Sequence, residues 1–270
     1  MAFEDARHSL LDSGEGNPKP EVNVKSWPWL AACLGVLLLF PHRLDTTLVT
    51  STYGFYRKYY MDDKIITDPS TVVGSLYDVN SLLRCAMRCM TQEQCHTFFF
   101  VSQESFCQLH SVLFLGADEG TTKISSTYWQ LTQEACPYSQ GFILYRPLGL
   151  CYQYHFQKEH WATANATCSN QGTMLLKVDT ESKFQHMYAF LRNSSATRLE
   201  HVSVGASRVS GTWRWQDGTD VTWFRWGSGE PSSSTEQCLT MAWFYFFQWN
   251  DVPCDVDPNA FYNFICQKLV

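Results

Sequence analysis

The sequence predicts an α+β protein made of small, disulfide-stapled modules. Three observations carry that class. Ten of the eleven cysteines fall between Cys85 and Cys266, while Cys33 lies apart in an apolar run near the N-terminus. Segments of helical period alternate with short β-rich runs bounded by turn residues. No Cys-x-x-Cys pair occurs, so the cysteines read as disulfide partners in an oxidising compartment and not as ligands of a structural metal.

Composition sets the outer bounds. The chain has 270 residues, enough for about two domains. At 45% hydrophobic and 17% charged residues, most of it should fold. A net charge of −6 speaks against a nucleic-acid partner, which asks for a basic face. Catalytic signatures are missing. There is no Gly-x-Ser-x-Gly and no His-Glu-x-x-His, and His155 and His160 have no third ligand nearby. The expectation is a binding protein and not an enzyme.

Residues 1–26 form a polar segment carrying Glu4, Asp5, Asp12, Glu15 and Glu21. Residues 27–40 are a 14-residue apolar run closed by Pro41, His42 and Arg43. Its length suits the h-region of a signal peptide, since a full span needs about 20 residues. The long acidic leader and the lack of a prompt Ala-x-Ala site suit a type II signal-anchor instead, weakly extended by Thr46 to Thr50. Both readings export the cysteine-rich part, so the expected location is secreted or at the cell surface. Residues 41–52 read as a stalk. Asn165 and Asn193 head glycosylation sequons.

A first module spans 53–131. Ser81 to Met90 reads as a helix with Ser81 as N-cap, and its i, i+4 spacing places Cys85 and Cys89 on one face. Cys95 precedes the β-rich run Thr97 to Val101, and Cys107 opens another strand. Four cysteines allow three pairings. The cysteine spacing, with the phenylalanine-rich strand, resembles the PAN/apple family, a small α+β fold that binds proteins or glycans. The resemblance implies the pairs Cys85–Cys107 and Cys89–Cys95.

A short link, Thr132 to Ala135, leads to a second module at 136–270. Cys136 and Cys151 bracket a hairpin. Glu159 to Ser169 reads as a helix, and Asp179 or Thr180 caps another that runs to Arg192, with Phe184, Met187, Tyr188 and Leu191 as its apolar stripe. Asp217-Gly218 is a hairpin signal. Asn259 to Val270 reads as a terminal strand bearing Cys266. Trp249 and the aromatic run Trp243 to Phe247 read as core.

Trp213, Trp215, Asp217, Gly218, Val221, Trp226 and Gly229-Glu230-Pro231 stand in fixed order ahead of Trp249-Asn250-Asp251, Cys254 and Cys266. This series resembles the C-type lectin-like domain. The resemblance implies a long-form fold with two helices and two small antiparallel sheets. It also implies the bridges Cys136–Cys151, Cys168–Cys266 and Cys238–Cys254. His201 to Ala206 departs from the family pattern by placing small residues where a tryptophan and an isoleucine usually stand.

The resemblance further implies one calcium site formed by Glu230, Ser232, Glu236, Asn250 and Asp251, with a cis Glu230–Pro231 bond. Such a shell suits calcium, which takes 6–8 oxygens. Glu230, Ser232, Glu236 and Asn250 would also contact a sugar. Ser232 replaces an asparagine or aspartate, and its hydroxyl cannot both offer an amide oxygen and donate an amide N–H. The auxiliary calcium site of some members looks absent, because Ser207, Arg208, Ser233 and Gln237 stand where its acids would be. The implied partner is a glycan of mannose, fucose or N-acetylglucosamine type. The alternative is an extracellular protein bound without calcium.

Overall fold

The computed structural model describes residues 21–24, 53–117, 120–255 and 260–270. The apolar run at 27–40, and with it the question of leader or anchor, lies outside them. Among the described residues no helix is long and apolar enough to cross a membrane.

The N-terminal half begins with β1 (Glu21–Val24), β2 (Tyr53–Arg57), β3 (Lys64–Ile65) and β4 (Val72–Leu76). Helix α1 (Leu82–Thr91) follows, then β5 (Thr97–Val101), β6 (Phe106–His110), β7 (Thr121–Thr122) and β8 (Ser126–Gln133). Six strands form an antiparallel sheet in the order β1-β2-β8-β5-β6-β4. β1 precedes the apolar run and pairs with β2, which follows it. Thr132 and Gln133, expected in the link, are the last residues of β8. Ser81 accepts a hydrogen bond from the Arg84 amide at the start of α1.

All five residues of β5 are buried. Alternate side chains of a strand point to opposite faces, and here both faces are covered. Phe98 and Phe100 pack with Cys85, Ala86 and Cys89 of α1. Phe99 and Val101 pack into a larger cluster with Tyr152, Leu176, Met187 and Phe190 of the C-terminal half. The two halves therefore share a core.

The C-terminal half contains β9 (Ile143–Tyr145), β10 (Leu150–Glu159), α2 (Trp161–Asn170), β11 (Met174–Leu175) and α3 (Glu181–Arg192). Then come β12 (Val202–Val209), β13 (Thr212–Trp215), β14 (Cys238–Met241), β15 (Trp249–Val252) and β16 (Tyr262–Lys268). Glu159 ends β10 and so falls outside the helix expected to start there, whose first residue is Trp161. The N-cap of α3 is Thr180, which accepts from the Lys183 amide. The expected pair of antiparallel sheets is fused into one. A short parallel pairing, Val202 to Asn263 and Ser203 to Phe264, joins β12 to β16, giving the order β15-β14-β12-β16-β10-β9. The small residues at 202–206 serve this junction. A Cβ on Gly205 would stand 2.5 Å from the Leu175 carbonyl oxygen, and the Trp161 indole donates to the Val204 carbonyl at 2.8 Å.

Among the described residues five disulfides staple the fold: Cys85–Cys107, Cys89–Cys95, Cys136–Cys151, Cys168–Cys266 and Cys238–Cys254.

Two polar features lock the halves together. Arg146, in the β9–β10 turn, donates to the carbonyls of Met90, Cys89, Gln92 and Cys95 at 2.6–3.0 Å. Helix C-termini leave carbonyls without partners and favour a cation, so the C-terminal half caps α1. Beside it, Tyr145 stacks on both His96 and His186, with ring centroids 4.6 and 3.6 Å away, and the two histidine rings lie 6.0 Å from each other. The Tyr152 hydroxyl lies 3.1 Å from His186 Nε2. Burial pushes His186 down to about 3. Burial first, then the charges of His186 and Arg146, push His96 well below the ordinary histidine range.

Two outcomes follow for stability. Arg146→Met should cost about 1–2 kcal/mol, because it strands partly buried carbonyls, and Arg146→Lys should recover only part of that, lacking the planar fork. Denaturant titration reads both. The histidines stay neutral in the fold while the unfolded chain protonates them near pH 6.5. Stability is therefore fully present above that pH and falls as pH drops toward 3, by about 1.4 kcal/mol per pH unit for each proton the unfolded chain gains. His186→Gln should make the measured slope shallower between pH 6.5 and 5.

Candidate functional site

Trp249 fixes the site. It is fully buried in β15. The rings of Trp215, Trp223 and Trp226 stand edge-on to it at 5.9, 5.3 and 5.7 Å. Its amide donates to the Arg225 carbonyl at 2.7 Å, and its carbonyl accepts from the Gly227 amide at 2.8 Å. The irregular segment after β13 is thereby pinned to the strand that carries Asn250 and Asp251. That segment starts at a turn in which the Asp217 carboxylate binds Lys177 Nζ at 2.7 Å and the Thr219 amide at 3.0 Å. Burial opposes the Asp217 charge, but the Lys177 and Thr219 hydrogen bonds outweigh it and hold the carboxyl at about 2.

Asp251 is 1% exposed. One carboxylate oxygen accepts from the Ser232 amide at 2.9 Å and the other from the Ser233 amide at 3.2 Å. The Ser232 hydroxyl donates to Glu236 Oε2 at 3.2 Å. Ser232, Glu236 and Asp251 are thus gathered into one corner, closed behind by Cys238–Cys254. Asn250 is half-buried beside Asp251 and faces Thr240 in the β14–β15 register. Glu230 opens the loop through a cis bond to Pro231. Its Oε1 accepts from the Tyr245 hydroxyl at 2.9 Å, and that bond first, then burial, raises the Tyr245 phenol above its usual range. Glu230 Oε2 is buried without a hydrogen-bond partner.

Among the described residues no three His, Cys, Asp or Glu side chains converge closely enough to hold a metal. Any shell at this corner must therefore draw on Ser232 and Asn250 as well as the acids. The residues fit a hard cation at one point of chemistry: a buried carboxylate oxygen without a donor is costly, and a cation would satisfy it.

The aromatic run corrects one expectation. Trp249 and Phe247 are core, but Trp243, Phe244 and Phe246 are 40, 48 and 74% exposed. The run forms the turn between β14 and β15, where Phe246 and Phe247 adopt left-handed backbone angles, φ +55° and +59°. Such angles cost about 1–3 kcal/mol for bulky residues. A seven-residue turn cannot bury five consecutive large rings. Sequence reading also missed Tyr245 as the partner of Glu230. Its one trace is Gly227, where a Cβ would meet the Tyr245 ring at 2.6 Å. Asn165 lies within α2 and Asn193 just after α3, both half-buried.

Residues 157–268 match the family model described as the lectin C-type domain. The versican core protein of Homo sapiens is 26% identical over 123 residues, which is 44% of this chain and 3% of that protein. The Bos taurus versican core protein gives the same figures. The chain thus spans a small fraction of the length of these relatives. Among solved structures, a calcium-independent type II antifreeze protein is 25% identical, with a TM-score of 0.41, and the match covers 50% of this chain and 94% of that one. The mouse scavenger receptor C-type lectin carbohydrate-recognition domain is also 25% identical, with a TM-score of 0.38, covering 44% and 90%. The family match supports a lectin-like binding role for residues 157–268.

Asp251→Ala, assayed in chelator, should cost about 2–3 kcal/mol, since it leaves two backbone amides without their buried acceptor. Limited proteolysis should then cut within 228–236 faster than in the parent. Gly227→Ala should displace the Tyr245 ring, and the raised phenol titration should return toward its ordinary range when followed by ultraviolet absorbance.

Proposed function

We propose that the C-terminal half is an extracellular, calcium-dependent carbohydrate-recognition domain, with its ligand site at the corner of Glu230, Ser232, Glu236 and Asn250. Those four residues and Asp251 would hold one calcium ion. The observation that carries this reading is Glu230 Oε2, a buried carboxylate oxygen without a donor at the rim of a corner where Ser232, Glu236 and Asp251 are already gathered. When bound, the ion would supply open coordination positions to neighbouring hydroxyls of a sugar. The chain's own part is to accept those hydroxyl protons on carboxylate oxygens, which make the stronger hydrogen bonds. The acid-first order Glu230-Pro231-Ser232 suits a mannose, fucose or N-acetylglucosamine type of sugar.

The rest of the chain fits an exported receptor. Residues 53–131 serve as a PAN/apple-like module, the domain at 136–270 carries the ligand site, Asn165 and Asn193 carry glycans, and residues 27–40 act as leader or signal-anchor. Either fate of that run separates β1 from β2. Cleavage removes β1, and a span places it across the membrane, so that β2 becomes the sheet edge.

A second reading is protein recognition without calcium. It is favoured by the exposed Trp243, Phe244 and Phe246 beside the corner and by the mutual hydrogen bond of Ser232 and Glu236.

Calcium titration followed by thermal shift separates them. A ligand at 100 times its Kd adds about 2.7 kcal/mol, or about 5–10 °C for a domain of this size. The parent should show that rise and Glu230→Gln should not. Retention on mannose or N-acetylglucosamine matrices should be lost in chelator. No shift and no chelator effect would overturn the calcium reading. Binding to a protein ligand that survives Glu230→Gln but fails in Trp243→Ala/Phe246→Ala would support the second.

A further inference from the structure

The far edge of the N-terminal sheet carries a groove that the lectin-like corner does not use. β4 is the last strand of that sheet and pairs with β6 on one side. Among the described residues no strand pairs with its other side. From Leu76 the chain runs through Tyr77 and Val79 to the N-cap of α1, and the groove lies between this run and the exposed face of the helix. Leu76, Tyr77, Val79, Arg84, Met87 and Arg88 line it.

Two features of the lining bear on what it binds. Tyr77 and Met87 are 74 and 50% exposed, and the Tyr77 ring is steadied by Phe106 at 5.1 Å. Exposed apolar side chains gathered into one groove mark interaction surfaces. Arg84 and Arg88 stand one turn apart on the same helix face and are both exposed. Neither belongs to an ion pair among the described residues. Against these two guanidinium groups the groove sets one carboxylate, Asp78, in a chain whose net charge is −6.

We infer that this groove binds an extended acidic polypeptide segment, which adds to the open edge of β4, seats an apolar side chain between Tyr77 and Met87, and places its carboxylates on Arg84 and Arg88. Two properties favour a polypeptide over an anionic glycan. The free strand edge offers backbone N–H and C=O groups at the spacing of another strand. The floor is apolar. The guanidinium forks then match the carboxylates of its acidic side chains in bidentate geometry. Open strand edges are normally blunted by charge, proline or a bulge. The residues of β4 are Val72, Val73, Gly74, Ser75 and Leu76; none is charged or a proline, and the irregularity in its pairing falls between Val72 and Gly74, at the end away from the groove.

The test uses a fluorescein-labelled ten-residue peptide of alternating Glu and Val, with a Lys-Val peptide as control, titrated by anisotropy against the disulfide-intact chain. The Glu-Val peptide should bind at about micromolar Kd and weaken with salt, and the Lys-Val peptide should not bind. Arg84→Glu/Arg88→Glu should weaken the Glu-Val peptide by at least about tenfold, as should Tyr77→Ala/Met87→Ala, each conversion corresponding to a 1.4 kcal/mol step per decade. All four side chains lie at the surface, and near-ultraviolet circular dichroism confirms that the variants keep the fold. Glu230→Gln should leave this binding unchanged, which separates it from the lectin-like site. Three results would overturn the inference: no binding up to about 1 mM, equal binding by parent and Arg84→Glu/Arg88→Glu, or binding of a heparin-derived oligosaccharide in place of the peptide.

Discussion

A strand whose every side chain is buried needs cover on both faces, and β5 imposes that need on the whole molecule. Thr97 to Val101 has α1 over one face, and on the other Phe99 packs on Phe114 and Tyr128, through which it joins the core shared with the C-terminal half. Neither cover is optional. Without the helix, Phe98 and Phe100 would meet water, and without that shared core Phe99 and Val101 would. Burying a phenylalanine side chain is worth about 1.5–3 kcal/mol, so the core that the two halves share outweighs their surface polar contacts. Arg146 and the His96, Tyr145 and His186 ring cluster then set the register of that docking. Non-directional burial brings the halves together, and directional hydrogen bonds to the carbonyls of α1 choose one arrangement.

The same division of labour governs the ligand corner. A cage of tryptophans around Trp249 supplies the burial, and two backbone hydrogen bonds from Trp249 supply the direction. The loop above it needs no regular structure of its own, because Asp251 holds Ser232 and Ser233 from below. A carboxylate that accepts two backbone amides is already committed to the scaffold, and its lone pairs that remain are what a ligand would have to use. The corner is therefore rigid at its base and adaptable at its rim, where Glu236 and Ser232 meet at the surface.

Local chemistry was legible in the sequence. Ser81 and Thr180 cap their helices because a short hydroxyl followed by an amphipathic run leaves few other choices, and Asp217-Gly218 turns the chain for an equally local reason. Relations between distant segments were less legible. The fused sheet depends on β12 meeting β16 in parallel, and no alternation pattern within either strand encodes that pairing. The burial of Thr97 to Val101 was visible as a β-rich run, yet the core beyond its second face is completed by Tyr152, Leu176, Met187 and Phe190, more than fifty residues away. The aromatic run Trp243 to Phe247 misled for a physical reason. Hydrophobicity predicts burial for strands and helices, whose side chains have fixed directions, but in a turn the backbone angles decide. With Phe246 and Phe247 left-handed, one ring points out and the next points in. The corner was legible as a set of residue types in order, and its hydrogen bonds were not, because Tyr245 reaches Glu230 from a different loop.

Glu230 is where the chemistry of this end of the molecule converges. One of its oxygens is held by the phenol of Tyr245 and the other is buried and unpaired. Tyr245 sits in the turn that displays Trp243, Phe244 and Phe246. A group that draws on the free oxygen changes the charge felt by the phenol through the same carboxylate. A partner that moves the aromatic turn changes how that carboxylate is held. By linkage these effects are reciprocal: whatever the rim binds and whatever the turn binds must influence one another through a single hydrogen bond. The aromatic turn and the acidic corner, which look like alternatives when read along the sequence, are two parts of one surface in the fold.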